Sequence, residues 1–234
     1  MALDSFTGGT AVVIGASGGI GRAVTEAIEA SSRFDRVIGL GRRSDPPIDV
    51  LEEASVAAAA EHVSGLGDLG LVFDATGALS KDGLTPEKSW RQIDPEAMAR
   101  AFALNAIGPA LLVKHFLPLF PRRGRAVFAT LSARVGSIGD NGLGGWYSYR
   151  ASKAALNQIV ACAAIELKRT RPDAVCVSLH PGTVDTGLSE SFAKAGLDVQ
   201  TPNEAAARLL AVIDGLTPAD SGGFRDHHGK TIPW

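Results

Sequence analysis

The β-branched run Thr10-Ala11-Val12-Val13-Ile14 breaks off at Gly15, continues as Gly15-Ala16-Ser17-Gly18-Gly19-Ile20-Gly21, and passes into a helix-forming stretch from Arg22 to Ala30. This strand, glycine loop and helix constrain the fold more than any other part of the chain. Glycine lets the backbone approach a ligand closely, and a helix that starts at the loop aims its free N–H groups at an anion. A tight turn alone would also use glycine. In strand–loop–helix context, however, the pyrophosphate of a dinucleotide is the favoured ligand.

A second feature lies far downstream, at Tyr149-Arg150-Ala151-Ser152-Lys153. From Ala151 to Leu167 apolar residues recur at three- and four-residue spacing without Gly or Pro, which predicts a helix. Tyr149 and Lys153, four apart, then share one face. A free phenol has a pKa of about 10; a fixed cation beside it favours the phenolate and is expected to lower that value. Such a pair can act as acid or base toward a carbonyl or an alcohol. Tyr147 is excluded by the same spacing, because Ala151 stands four residues on. Tyr four before Lys is also an ordinary surface pair, so its meaning depends on the rest of the chain.

The composition allows one domain with a full core: 234 residues, 45% hydrophobic and 21% charged. A net charge of −2 with no block of like charge argues against nucleic acid or an anionic membrane as partner. Met1-Ala2-Leu3-Asp4-Ser5-Phe6 lacks the basic start and apolar run of a signal peptide, and no apolar run is expected to span a membrane. Cys162 and Cys176 fall in a predicted helix and strand and read as small buried side chains in a reducing compartment. A cytoplasmic protein is expected.

The Gly15, Gly19, Gly21 spacing together with the Tyr149–Lys153 helix resembles the short-chain dehydrogenase/reductase family, and the resemblance runs from Gly15 to Trp234. It implies a single Rossmann-type α/β domain: a doubly wound, mainly parallel seven-stranded sheet flanked by helices. It also implies an NAD(P) cofactor, with Gly15, Ser17, Gly19, Ile20 and Gly21 around it. The predicted second strand, Arg36 to Gly41, ends in Arg42-Arg43, with no Asp or Glu from Val37 to Arg43. An acid there would bind ribose hydroxyls, whereas Arg suits a 2′-phosphate, so NADP(H) is expected in preference to NAD(H). The family match places Arg42 at the basic position of NADP-preferring members, while Gly18 stands where many carry a second basic residue. Pro46-Pro47-Ile48-Asp49-Val50 reads as a short third strand, with only a loop before it. The resemblance implies that Asp49 and Val50 match the family's Asp-Val pair beside the adenine.

Leu69 to Phe73 reads as a buried strand leading into Asp74-Ala75-Thr76-Gly77. The family's tetrapeptide there is Asn-Asn-Ala-Gly, of which only Gly77 is kept, and an ionised Asp74 needs partners. Ala97 to Phe116 reads as a helix holding Asn105 and Gly108-Pro109. Pro109 has no N–H, so the Asn105 carbonyl should lose its helical partner. The resemblance implies a water held at that carbonyl, in a proton relay with Lys153.

Arg125 to Thr130 is a further buried strand, ending at Leu131-Ser132-Ala133. A hydroxyl at its end could polarise a substrate carbonyl. Ser132 is the leading candidate and Ser137 the reserve, because the family's second serine falls on Ala133 and the loop from Gly136 to Trp146 is long. In the mechanism the resemblance implies, Tyr149 gives its proton to the carbonyl oxygen, Lys153 tunes Tyr149 and holds the nicotinamide ribose, and Asn105 completes the relay. Ala174 to Leu179 is a strand running into His180-Pro181-Gly182-Thr183-Val184-Asp185-Thr186, by itself a turn. By resemblance Pro181, Gly182, Val184 and Thr186 line the nicotinamide, and residues 187–201 form a short lid suited to small carbonyl compounds. His180 is read as structural. Ser221 to Asp226 is the last strand, followed by His227 and His228 in a turn rather than a metal site. The expected function is NADPH-dependent reduction of a ketone or aldehyde, or the reverse, by a homodimer or homotetramer. The alternatives are a weakly active NADP-binding regulatory or signalling protein, and an epimerase or dehydratase on the same fold.

Overall fold

The computed structural model describes residues 3–80, 84–185 and 199–234. Its centre is β1 (Thr10–Ile14), all five residues buried, as a strand covered on both faces must be. β1 pairs in parallel with β2 (Arg36–Leu40) on one side and β3 (Leu69–Asp74) on the other. Beyond β3 follow β4 (Ala126–Leu131), β5 (Ala174–His180) and β8 (Phe224–Asp226), all parallel, in the order β2-β1-β3-β4-β5-β8. β6 (Thr183–Val184) and β7 (Val199–Gln200) form a separate two-stranded parallel pair.

Successive strand residues point to opposite faces, and each face has its own helix layer. Val12, Ile14, Val72, Phe128 and Cys176 pack with α2 (Glu53–Ser64), α4 (Gly108–Phe116) and α5 (Tyr147–Thr170) through Val56, Leu112, Phe116, Leu156 and Val160. Ala11, Val13, Leu71, Phe73 and Val175 pack with α1 (Gly19–Ser31) and α6 (Pro202–Gly215) through Val24, Ile28, Leu209 and Ile213. The connections change direction between β1 and β3, so the C-terminal ends of these strands border the crevice where such sheets bind ligands.

Among the described residues the main sheet has six strands, not seven. Pro46 to Val50 is no strand: Pro46 and Pro47 have no N–H to give a ladder, and Ser44 folds the segment back, its Oγ accepting from Gly41 N–H at 2.9 Å. Ile48 N–H also donates to the Gly41 carbonyl, at 3.0 Å. The loop is nonetheless docked, with Ile48 and Val50 buried in the core that α4 shares. Cys176 is buried as expected, but Cys162 is exposed on α5.

Helix α3 (Pro95–Phe102) is capped by Asp94, whose carboxylate accepts from Ala97 N–H at 2.7 Å. It runs through a π turn, Ala103–Ile107, into α4. Contrary to expectation, Pro95–Leu119 is long and apolar enough by length and composition to cross a membrane, with a mean hydropathy of 1.4. In this fold it is a core helix, burying Ala101, Asn105, Ala106, Leu112 and Phe116.

The docked loop depends on a close approach. A Cβ on Gly108 would meet Val50 Cγ2 at 2.9 Å and Val50 Cβ at 3.0 Å. Gly108→Ala should therefore destabilise the protein by about 1–3 kcal/mol through overpacking, read as a lower urea midpoint at unchanged slope. Adding Val50→Ala should recover part of the loss, and an unchanged midpoint in the single variant would rule out the packing described.

Candidate active site

The glycine loop closes on itself as only glycine permits. Gly15 has φ +82°, and a Cβ on Gly21 would stand 2.2 Å from the Gly15 carbonyl oxygen. α1 starts at Gly19 with Gly18 as N-cap, no side-chain cap and no acid in its first turn. Its leading N–H groups thus face an open rim at Ser17 and Gly18, which suits an anion. The end of β2 lies against this loop: Gly15 and Ala16 N–H both donate to the Leu40 carbonyl, and the Cα of Gly41 faces Ser17 Oγ. Arg42 and Arg43 follow directly, exposed and without an ion pair among the described residues. This cradle fits the pyrophosphate of a dinucleotide. Asp49 serves its own turn, its Oδ1 accepting from Leu51 N–H at 3.0 Å, while Val50 packs inward.

Asn105 joins the two halves of the site. Its Oδ1 accepts from Ala78 N–H at 2.8 Å, and its Nδ2 donates to the Ala78 carbonyl at 2.9 Å and to Ser152 Oγ at 3.2 Å. The loop after β3 is thereby fixed to both the π turn and α5. The π turn accords with the missing N–H of Pro109, since Gly108 N–H donates to the carbonyl five residues back, at Ala103. Gly77, at φ +140°, brings its backbone close: a Cβ there would lie 3.0 Å from Asn105 Oδ1 and 3.2 Å from Lys153 Nζ.

Lys153 is buried, and its Nζ donates to the Leu131 carbonyl at 2.8 Å. Burial pushes its pKa down to about 8, with Asp74 acting in the opposite direction. Its Nζ lies 6.0 Å from the centre of the Tyr149 ring, on the shared face that four-residue spacing predicts. The expected lowering of the phenol is not found, however. Burial raises the Tyr149 pKa, so the phenol stays protonated through neutral pH. The reason is geometric: the ammonium is turned to Leu131, and its own charge is weakened by burial. Asp74 is fully buried, and burial raises its pKa against the hydrogen bonds of Thr76 and Thr130.

The serines are placed differently from one another. Ser132 Oγ donates to Asn157 Oδ1 at 2.8 Å, so its proton is committed within the core. Ser137 Oγ accepts from Asp140 N–H at 3.0 Å and keeps its own proton for another partner. Ala133 sits between them, without a hydroxyl. Asn157, four residues beyond Lys153, was discoverable by the spacing that marked the pair.

A narrow cleft beside Tyr149 is lined by Ala78, Leu79, Leu84, Ala97 and Ala101, with Glu87 and Ser148 at its polar end. Glu87 is buried; its carboxylate accepts from the N–H and hydroxyl of Ser148, and its carbonyl accepts from Trp146 N–H at 2.5 Å. It thereby anchors the start of α5. No sequence signal marks Glu87, since its partner is 61 residues away.

At the end of β5, Gly182 has φ +80°, and a Cβ there would collide with Gln200 Nε2 at 2.4 Å. Pro181 holds Gln200 through its carbonyl, at 3.1 Å, and Val184 is buried in β6. Thr186 and most of the expected lid lie outside the described residues. His180 is kept neutral, pushed down to about 4 mainly by burial. Among the described residues no cluster of three metal-ligating side chains occurs, and His227 and His228 lie in a turn.

The family model described as enoyl-(acyl carrier protein) reductase matches residues 23–213. The chain is similar to 1-hydroxy-2-glutathionyl-2-methyl-3-butene dehydrogenase of Rhodococcus sp. (strain AD45), at 34% identity over 96% of this chain and 99% of that protein. It is also similar to the C-signal protein of Myxococcus xanthus, at 40% identity over 61% of this chain and 81% of that one. Among solved structures, the NADPH-bound carbonyl reductase from chicken fatty liver superimposes with a TM-score of 0.83 at 26% identity, covering 98% of this chain and 95% of that one. With this fold and this Tyr–Lys site, the chain belongs to the short-chain dehydrogenase/reductase family and is an oxidoreductase.

Proposed function

We propose that this enzyme reduces a small ketone or aldehyde to its alcohol with NADPH, and catalyses the reverse oxidation with NADP⁺. The observation that carries this reading is Tyr149: a phenol kept protonated by burial, lining a narrow cleft, on the same helix face as a buried lysine. A protonated phenol is the form needed to donate to a carbonyl oxygen as negative charge develops there. The nicotinamide, when bound, supplies the hydride. The chain supplies position and protons: Tyr149 donates its O–H, Lys153 provides the nearby cation, and Asn105 fixes the loop that carries Gly77 against Lys153.

The glycine loop from Gly15 to Gly21 and the start of α1 would hold the pyrophosphate, and Arg42 the 2′-phosphate. Support for NADP(H) over NAD(H) comes from Arg42 and Arg43, which are exposed, without an ion pair among the described residues and just past Gly41, which faces Ser17, and from the NADPH bound in the chicken carbonyl reductase. Pro181, Gly182 and Val184 would line the nicotinamide. A homo-oligomer is in keeping with exposed Ile107 and Ile165 on the helices of one face, 56% and 61% accessible. The second reading, a weakly active NADP-binding signalling protein, draws on Ala133 and on the likeness to the C-signal protein.

Following NADPH absorbance over a panel of ketones and aldehydes separates the two. Turnover on at least one compound, lost about 10²–10⁴-fold in Tyr149→Phe with NADPH binding kept, is expected. Tight NADPH binding with no turnover on any compound would favour the signalling reading. Arg42→Ala should weaken NADPH binding by about tenfold or more, as for a lost charge-assisted contact, while leaving NADH binding nearly unchanged. Equal effects on both would refute the 2′-phosphate assignment. Of the two serines, only the one whose loss lowers kcat without lowering stability polarises the carbonyl; the O–H of Ser137, which has no acceptor among the described residues, favours it over Ser132.

A further inference from the structure

We propose that the buried Asp74 carboxylate is the counter-charge that keeps Lys153 an ammonium, making Asp74 a positioning residue for the Tyr149–Lys153 pair. The inference rests on the reading of that pair as the acid–base unit. Asp74 ends β3 with no exposed surface. Its Oδ1 accepts from the N–H and hydroxyl of Thr76, at 2.9 and 2.6 Å, and its Oδ2 accepts from Thr130 Oγ1 at 2.7 Å. A carboxylate accepts all of these bonds at once; in a carboxylic acid one threonine hydroxyl would have to turn and accept the proton, since the Thr76 N–H can only donate. The site therefore accommodates the anion with three donors, all of them neutral, against a burial that favours the acid. Buried anions without a cation are costly, and so are buried cations without an anion.

The same two chain segments bring the cation alongside. Thr130, which holds Asp74, precedes Leu131, whose carbonyl holds Lys153 Nζ at 2.8 Å. Gly77, three residues past Asp74, presses its backbone toward Nζ, where a Cβ would sit 3.2 Å away. One carbonyl is the only hydrogen-bond acceptor for the ammonium among the described residues. Electrostatically, burial disfavours each charge while each partner favours the other. The titratable groups facing Lys153 are Asp74 from β3 and Tyr149 from its own helix; Asn105 on the π turn and Thr76 and Thr130 on the strand ends are neutral. Asp74 stands where the family pattern carries Asn, so Asp74→Asn keeps the shape and removes only the charge.

The test titrates Lys153 in the whole protein by NMR of ¹³C-labelled lysine, with the signal assigned by its absence in Lys153→Met. In wild type the midpoint should lie near 8. In Asp74→Asn it should fall by about one pH unit, as expected when a neighbouring opposite charge is removed. The alkaline limb of kcat should move down with it. Thr130→Val, which weakens the carboxylate by removing one donor, should shift the midpoint the same way by less, and serves if Asp74→Asn does not fold. An unmoved lysine midpoint in the folded variant overturns the inference, whatever the turnover. A moved midpoint in a protein that reduces no carbonyl compound upholds the charge pair and instead overturns the proposed reaction.

Discussion

The hydrogen bond from Lys153 Nζ to the Leu131 carbonyl, with that from Ser132 Oγ to Asn157, ties helix α5 to the C-terminal end of β4. The surrounding sequence is shaped by that contact. Gly136 must lack a side chain because a Cβ there would stand 2.8 Å from Lys153 Cβ. Gly77 has the same constraint from the other side. Asn105 then ties the β3 loop to α5 through Ala78 and Ser152, so the ends of β3 and β4, the π turn and α5 form one rigid wall. Buried polar groups tolerate this only when nearly every donor finds an acceptor, and here most do.

This wall explains why the free protein favours an acid at Tyr149. The ammonium spends its hydrogen bond on a carbonyl rather than on the phenol, and desolvation dominates the phenol's equilibrium. A protonated phenol is ready for carbonyl reduction. The alcohol-oxidising direction needs the phenolate, and so depends more heavily on cationic neighbours. Direction and charge are therefore linked through one buried lysine.

Much of this was legible locally. β1, the glycine loop and the Tyr149–Lys153 face follow from short-range patterns, and Pro109 stands just after the π turn Ala103–Ile107. The third strand was misread because Ile48 and Val50 look like strand residues; Pro46 and Pro47 decide otherwise, and burial of both residues in a loop serves the core as well. α2 and α6 had signals that a strand-centred reading passes over: Val56, Ala59, Ala60 and Val63 share a face, and Thr201 with Glu204 forms a capping box. Partners distant in sequence left no trace. Asp74 meets Thr130 across 56 residues, and Glu87 meets Ser148 across 61. The direction of the Tyr149 shift was likewise beyond reach, since it depends on how deeply the ring is buried and where the ammonium points.

The chain has two tyrosines, so Tyr147→Phe leaves Tyr149 as its only phenol. Its ionisation can then be followed by absorbance at about 295 nm, where phenolate absorbs and phenol does not. In the free protein the midpoint should lie above the ordinary value of about 10. With NADP⁺ bound it should fall, because a cationic nicotinamide joins the Lys153 ammonium in favouring the phenolate. A free-protein midpoint at or below the ordinary value, or one that NADP⁺ leaves in place, would contradict the account of Tyr149 as a partly buried acid set by the charges around Lys153.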